Sequence, residues 1–200
     1  LTQGWRFYRG DDAAASRIDY DDRHWQIVEV PHDWAITGPF DRKNDLQTVA
    51  VTQNYETTAS VKTGRTGGLP YTGTGWYRRR LDLSGLDLRN QRVLLYFDGV
   101  MSESRVYVNG QEVAYWPYGY NAFHVDITDF IRSDAGNILA VRAENRPFSS
   151  RWYSGAGMYR NVKLIVKNRI TVPIWGVWIT TPDVTGTRAR IDVRTRSDTW

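Results

Sequence analysis

In Arg105-Val106-Tyr107-Val108-Asn109-Gly110-Gln111-Glu112-Val113-Ala114, two alternating runs flank an Asn-Gly pair. Asn and Gly both tolerate the positive φ that the two central residues of a type I′ turn require, so the stretch reads as a β-hairpin. The period of two continues outward from it. Val93, Leu95 and Phe97 share one face of residues 92–98. Phe123, Val125 and Ile127 face inward while His124 and Asp126 face out. Leu139, Val141 and Ala143 repeat the pattern, as do Val162, Leu164 and Val166. One-sided alternation is what a half-buried antiparallel strand needs. About nine strands are expected, with no helix beyond a turn or two. The best short-helix candidate runs from Thr128 to Arg132, with Thr128 capping its first turn. Asp134-Ala135-Gly136-Asn137 then turns the chain back into a strand. Many short strands with turns between them predict an all-β sandwich or barrel.

The chain has 200 residues, 41% hydrophobic and 14% aromatic. That is enough apolar surface for one core and too much for a disordered chain. Cysteine is absent, which excludes a disulfide framework, a zinc finger and a thiol nucleophile. No apolar run approaches the roughly twenty residues a bilayer-spanning helix needs, so no membrane is expected as a partner. The net charge of +4 is spread out. The one cationic run, Arg78-Arg79-Arg80, lies in an alternating strand where only two of three side chains share a face, so nucleic acid is not an expected partner either. The chain begins at Leu1 without a signal segment and reads as a trimmed or processed piece.

Two segments depart from the pattern. Residues 35–74 are polar, rich in Thr and Gly, and lack steady alternation, so a functional or mobile loop is expected there. Beyond Asn168-Arg169, Ile170 to Thr180 and Arg188 to Arg196 read as two further strands. Two strands cannot close a sandwich. They either complete the first domain's sheets or begin a second domain, the latter favoured by the aromatic surface of Trp175, Trp178 and Trp200.

Self-contained catalysis is not expected. Glycoside hydrolysis needs two carboxylates flanking the bond, and Glu29, Glu56, Glu103, Glu112 and Glu144 show no paired spacing. There is no Gly-x-Ser-x-Gly elbow and no phosphate loop. His24, His32 and His124 lack partners at metal spacing, so no metal or cofactor is expected. What stands out are three aromatic and polar clusters at turns, within 30–34, 116–120 and 149–160. Pro31 stops the preceding strand, Asp33 can accept bonds from nearby amides and Trp34 offers a flat face. Flat aromatics stack on sugar rings while Arg, Asp and Asn satisfy the hydroxyls. The competing reading is that these aromatics plug the ends of a sandwich.

The ordered set Gly4-Trp5-Arg6-Phe7, Asp22, Trp25, Val30-Pro31-His32-Asp33-Trp34, Gly75-Trp76-Tyr77-Arg78-Arg79, Phe97-Asp98-Gly99-Val100-Met101, Val106-Tyr107-Val108-Asn109-Gly110, Tyr118-Gly119-Tyr120, Asp126-Ile127-Thr128 and Ser150-Arg151-Trp152-Tyr153-Ser154-Gly155-Ala156-Gly157-Met158-Tyr159-Arg160 resembles the N-terminal sugar-binding domain of glycoside hydrolase family 2, the β-galactosidase and β-glucuronidase family. The versions here are most similar to β-galactosidase-type members of gut Bacteroidetes. The resemblance covers about residues 4–168. It implies an antiparallel jelly-roll (galactose-binding-like) β-sandwich over residues 1–168, followed over 169–200 by the first strands of an incomplete immunoglobulin-like β-sandwich.

The resemblance further implies a retaining β-glycosidase parent whose (β/α)8 barrel supplies both catalytic glutamates. The acid/base one follows an Asn, and this sequence has no Asn-Glu dipeptide. The expected partners are a β-galactoside-like carbohydrate and that barrel, with oligomers a feature of the full-length parent and a periplasmic or extracellular setting. In the family, the loop bearing Ser-Arg-Trp reaches toward the barrel and helps line the sugar subsite. Carried onto this chain, that assigns substrate binding to Arg151, with Ser150 and Trp152 as neighbours. Asp33 and His32 are further candidates. The alternative for Arg151 is an ion pair holding its loop; for Asp33 and His32 it is a turn that caps itself. Gly155 and Gly157 are expected to supply tight backbone turns. A free-standing carbohydrate-binding sandwich and a protein-interaction module remain the competing functional classes.

Overall fold

The structure, a computed structural model, describes residues 1–41, 44, 47–50, 59–62, 71–133, 136–146 and 155–199. Three of the sequence readings lie wholly or partly outside these residues: Ser150, Arg151 and Trp152 as site residues, the start of the 134–137 turn, and much of the functional or mobile loop expected over residues 35–74.

Every paired strand is antiparallel. β1 (Trp5–Arg9), β2 (Gln26–Val28), β5 (Gly73–Leu81), β7 (Ser104–Val108), β8 (Gln111–Trp116) and β10 (Asn137–Asn145) form a six-stranded sheet in the order β2-β1-β5-β10-β7-β8. Across the core lies a three-stranded sheet, β11-β6-β9, made of Val162–Asn168, Gln91–Phe97 and Phe123–Asp126. Val93, Leu95 and Phe97 meet Leu139, Val141 and Ala143 across the interior, all fully buried. Those inward faces are thus core faces, whereas on β11 Val162 is buried, Leu164 is partly buried and Val166, read as inward, is exposed. Phe123 stacks on Phe97 at 4.7 Å and closes one side of it.

The hairpin at Asn109-Gly110 joins β7 to β8 with φ of +52° and +85°. Its Asn109 does more than turn the chain. Nδ2 donates to Phe130 O and Asn137 Oδ1, and Oδ1 accepts from Ile138 N at 3.0 Å.

Several expectations need correcting. Fifteen strands, not nine, lie among the described residues. Two of the added ones, β3 (Gln47–Ala50) and β4 (Ala59–Lys62), pair with each other inside the segment read as an unstructured loop. The turn over Thr128–Phe130 is 3-10, and Thr128 does not cap it. Asp126 Oδ1 instead accepts from Thr128 N and Oγ1, freeing the hydroxyl to receive Val93 N at 2.9 Å. A carboxylate two residues upstream is the better acceptor. Trp34 offers no face, because it is fully buried and stacked on Phe7.

The outer face of the large sheet carries a second small core of Ala15, Trp25, Trp76 and Ala140. Burial splits the arginine run there. Arg78 is 1% exposed, pairs with Asp22 at 2.8 Å and donates to Arg17 O, while Arg80 is exposed. Sinking a guanidinium is tolerable only with its donors matched in this way.

After β11, β12 (Ile170–Thr171) pairs with β15 (Asp198–Thr199), and β13 (Val177–Val184) pairs with β14 (Ala189–Thr195). The register of the second pair slips between Thr180 and Asp183, around Pro182, which has no amide to give the ladder. Among the described residues, none beyond Leu164 belongs to either core. Among the described residues no helix is long and apolar enough to cross a membrane.

Candidate functional site

The three aromatic and polar clusters, far apart in sequence, meet around residues 155–160. From the first, His32 N donates to Met158 O at 2.8 Å and Trp34 N to Ala156 O at 3.2 Å. From the second, Gly119 O accepts from Tyr159 Oη at 2.8 Å. Residues 155–160 are themselves the end of the third.

Asp33 sits at this junction. Its Oδ1 accepts from Ala35 N, capping the 3-10 turn Trp34–Thr37, and from Ala156 N, each at 2.9 Å. Asp33 therefore caps its own turn and also holds the chain just after residues 147–154. His32 is half buried. Its Nδ1 lies 2.9 Å from Tyr77 Oη and its ring packs on Phe7. Burial lowers its pKa from the ordinary 6.5, with Asp33 opposing and Arg9 adding to the shift. Tyr77 is fully buried and its hydroxyl pKa is pushed far up by desolvation, so it stays a neutral strut. Gly155 and Gly157 turn at φ of +72° and +94°. A Cβ on Gly157 would stand 2.2 Å from Tyr77 Oη, so no larger residue fits.

The other end of the same loop is fixed by side chains that sequence reading assigned no joint role. Glu103 and Glu144 converge on Arg146, each 3.4 Å from its guanidinium. Arg142 binds Glu144 at 2.9 Å and Asp11 at 2.7 Å. These two glutamates come together yet are occupied by arginines, which is an anchoring arrangement and not an acid–base pair. Met101 and Ser102 tie the two ends together. Met101 exchanges backbone bonds with Gly157, and Ser102 O and Oγ bond Glu144 N and O at 2.8 Å. The only signal in the sequence was the Phe97-Asp98-Gly99-Val100-Met101 motif, whose partners lie more than forty residues away.

These contacts fix Arg146 on one side and Ala156 on the other side of residues 147–154, the stretch of sequence that contains Ser150, Arg151 and Trp152. Among the described residues no group of His, Asp or Glu is arranged to hold a metal.

Comparison with known proteins decides the family. Residues 2–168 match the family described as glycosyl hydrolases family 2, sugar binding domain. The chain belongs to that family. It is 36% identical over 193 residues to a β-galactosidase of Bacteroides ovatus, covering 96% of this chain and 20% of that enzyme. A Formosa agariphila protein named a putative β-glucuronidase is 31% identical over 92% of the chain and 16% of its own length. A family 2 structure from Bacteroides cellulosilyticus superposes with a TM-score of 0.82 at 32% identity, covering 96% of this chain and 23% of that one. This family 2 chain thus spans about a fifth of the curated relatives it matches, and the remaining four-fifths of those enzymes have no counterpart in it.

Proposed function

We propose that this chain is the N-terminal sugar-binding and scaffolding part of a retaining β-glycosidase of β-galactosidase type. Residues 1–168 are its jelly-roll domain and residues 169–200 the start of an immunoglobulin-like domain. The loop stem carries the reading: it spends Asp33, His32, Tyr77, Glu103, Glu144 and Arg146 on fixing both ends of residues 147–154. Such investment suits a segment that must be placed against something outside this chain's own core. Arg151 is the residue within 147–154 that meets sugar hydroxyls or a partner carboxylate, with Ser150 and Trp152 as its sequence neighbours; five fixed donors suit either acceptor. Asp33 and His32 serve substrate binding through the stem they build. The hydrolysis itself belongs to a barrel that this chain does not contain, and the expected partners are that barrel and a β-galactoside-like carbohydrate. The periplasm or the extracellular space is the matching location.

The test is Arg151→Ala in the longer enzyme. Its kcat/KM should fall by about 1–3 kcal/mol in transition-state terms, with the melting temperature of the sandwich unchanged. An unchanged kcat/KM with a lower melting temperature assigns Arg151 to holding the loop. The 200-residue chain alone should not turn over nitrophenyl β-galactoside or β-glucuronide, and it should bind galactose, lactose or glucuronate at millimolar affinity at best, since it offers one wall of a site.

A further inference from the structure

The outer face of the six-stranded sheet carries a polar pocket of about 380 Å³. Its lining residues fall between Gly4 and Ile138, within the span of the family match, so it draws on neither residues 147–154 nor the last four strands. Arg6, Arg23, Arg78, Arg79 and Arg80 line it, with Asp22 as its one carboxylate. Arg23 is matched by Asp21 at 2.8 Å. That leaves four guanidinium groups for Asp22. Its Oδ2 takes Arg78 Nε at 2.8 Å, and its Oδ1 lies 3.5 Å from Arg6 Nε. The pocket therefore keeps a surplus of positive charge.

Strand register gathers this charge. Arg6 on β1 lies directly opposite Arg78 on β5, and Arg80 is two positions further along the same face of β5. Like charges opposed across strands destabilise a sheet. Asp22 offsets the first pair, together with the carbonyls of Ala15 and Arg17 on Arg78 and of Asp22 and Arg23 on Arg6. Nothing offsets Arg80, which is exposed and makes no hydrogen bond or ion pair among the described residues. Arg78 is 1% exposed, and its Nε and Nη1 are engaged, but its Nη2 has no bond among the described residues. Arg79 Nε is buried and equally without a partner. Unused donors on deeply set guanidinium groups point to an acceptor from outside the chain.

We infer that this pocket binds a tetrahedral oxyanion, a phosphate or sulfate group, held by Arg78 and Arg80. Neighbouring guanidinium forks offer more donors than the two oxygens of a carboxylate use, and a dianion answers the surplus charge. The volume holds such an anion with several waters, each taking roughly 30 Å³. An extended acidic peptide fits less well, because it would need cations strung along its length, and here they meet in one hollow. The fold gives up stability by setting Arg80 beside Arg78, and a bound anion is what makes that placement useful. The site is separate from the loop of the proposed function, so its failure leaves that reading untouched.

The experiment titrates the 200-residue chain with inorganic phosphate, inorganic sulfate, phenyl phosphate and acetate. The readouts are calorimetry and the melting temperature, which a ligand of the folded state raises. Ionic strength is held constant so that screening is the same in every arm. At least one tetrahedral anion should bind about tenfold more tightly than acetate. Phenyl phosphate binding as well as inorganic phosphate assigns the pocket to a phosphate ester; binding of the free ions alone assigns it to the inorganic anion. Arg80→Gln should weaken binding about tenfold, the loss one charged hydrogen bond carries, while the unliganded chain melts at the same temperature or higher. Arg188→Gln removes an equal charge between β13 and β14 and should leave the affinity unchanged. No binding at millimolar concentration, acetate binding as tightly as the tetrahedral anions, or an Arg80→Gln variant no weaker than Arg188→Gln would overturn the proposal.

Discussion

Asp33 shows how a residue chosen for its chemistry turns out to act through backbone geometry. One carboxylate oxygen joins two amides, at Ala35 and Ala156, that are 121 residues apart in sequence. Removing it as Asp33→Ala leaves both donors unmatched and should cost about 2–3 kcal/mol in urea unfolding. Asp33→Asn retains an acceptor and should lose less than half of that; equal losses would mean that the charge, not the hydrogen bonds, holds the stem. His32 beside it gives a pH dependence of defined sign. Its folded-state pKa lies below the ordinary 6.5, because burial disfavours the imidazolium. The unfolded chain therefore takes up the proton more readily. This group's contribution to stability is complete above pH 6.5 and declines as pH falls through that value toward the folded pKa. An NMR titration of the ring should find a midpoint below 6.5, and a midpoint above it would contradict the burial argument.

Among the elements, the β7–β8 hairpin separates local from long-range instruction. The Asn-Gly pair satisfies the turn by backbone alone, and Gly would serve at both positions. Asn109→Gly should nevertheless destabilise the fold by about 2 kcal/mol, because Ile138 N and Phe130 O lose the partner that Asn109 gives them. Chemical denaturation checks this, and a neutral substitution would reduce Asn109 to turn chemistry. The β13–β14 hairpin is the opposite case. Its alternation is plain in the sequence, but its apolar face has nothing to pack on among the described residues.

For the whole molecule, no described residue beyond Leu164 belongs to either core. Deletion of residues 169–200 should accordingly leave the sandwich cooperative and shift its melting temperature by no more than a few degrees. A large loss would make the last four strands part of the first domain and move the boundary at residue 168.

The alternation of apolar residues and the Asn-Gly turn were sufficient for the sandwich, because strand faces and tight turns are set by neighbours two to four residues away. The ordered motifs were sufficient for the family. What the sequence could not show was that residues 30–34, 116–120 and 155–160 form one junction, or that Glu103 and Glu144 share Arg146. It likewise hid the burial of Trp34 and of Arg78, and the pairing of β3 with β4. Each of those depends on which segments lie side by side, and the fold brings together residues from nine to more than a hundred positions apart, with no local periodicity to record the meeting.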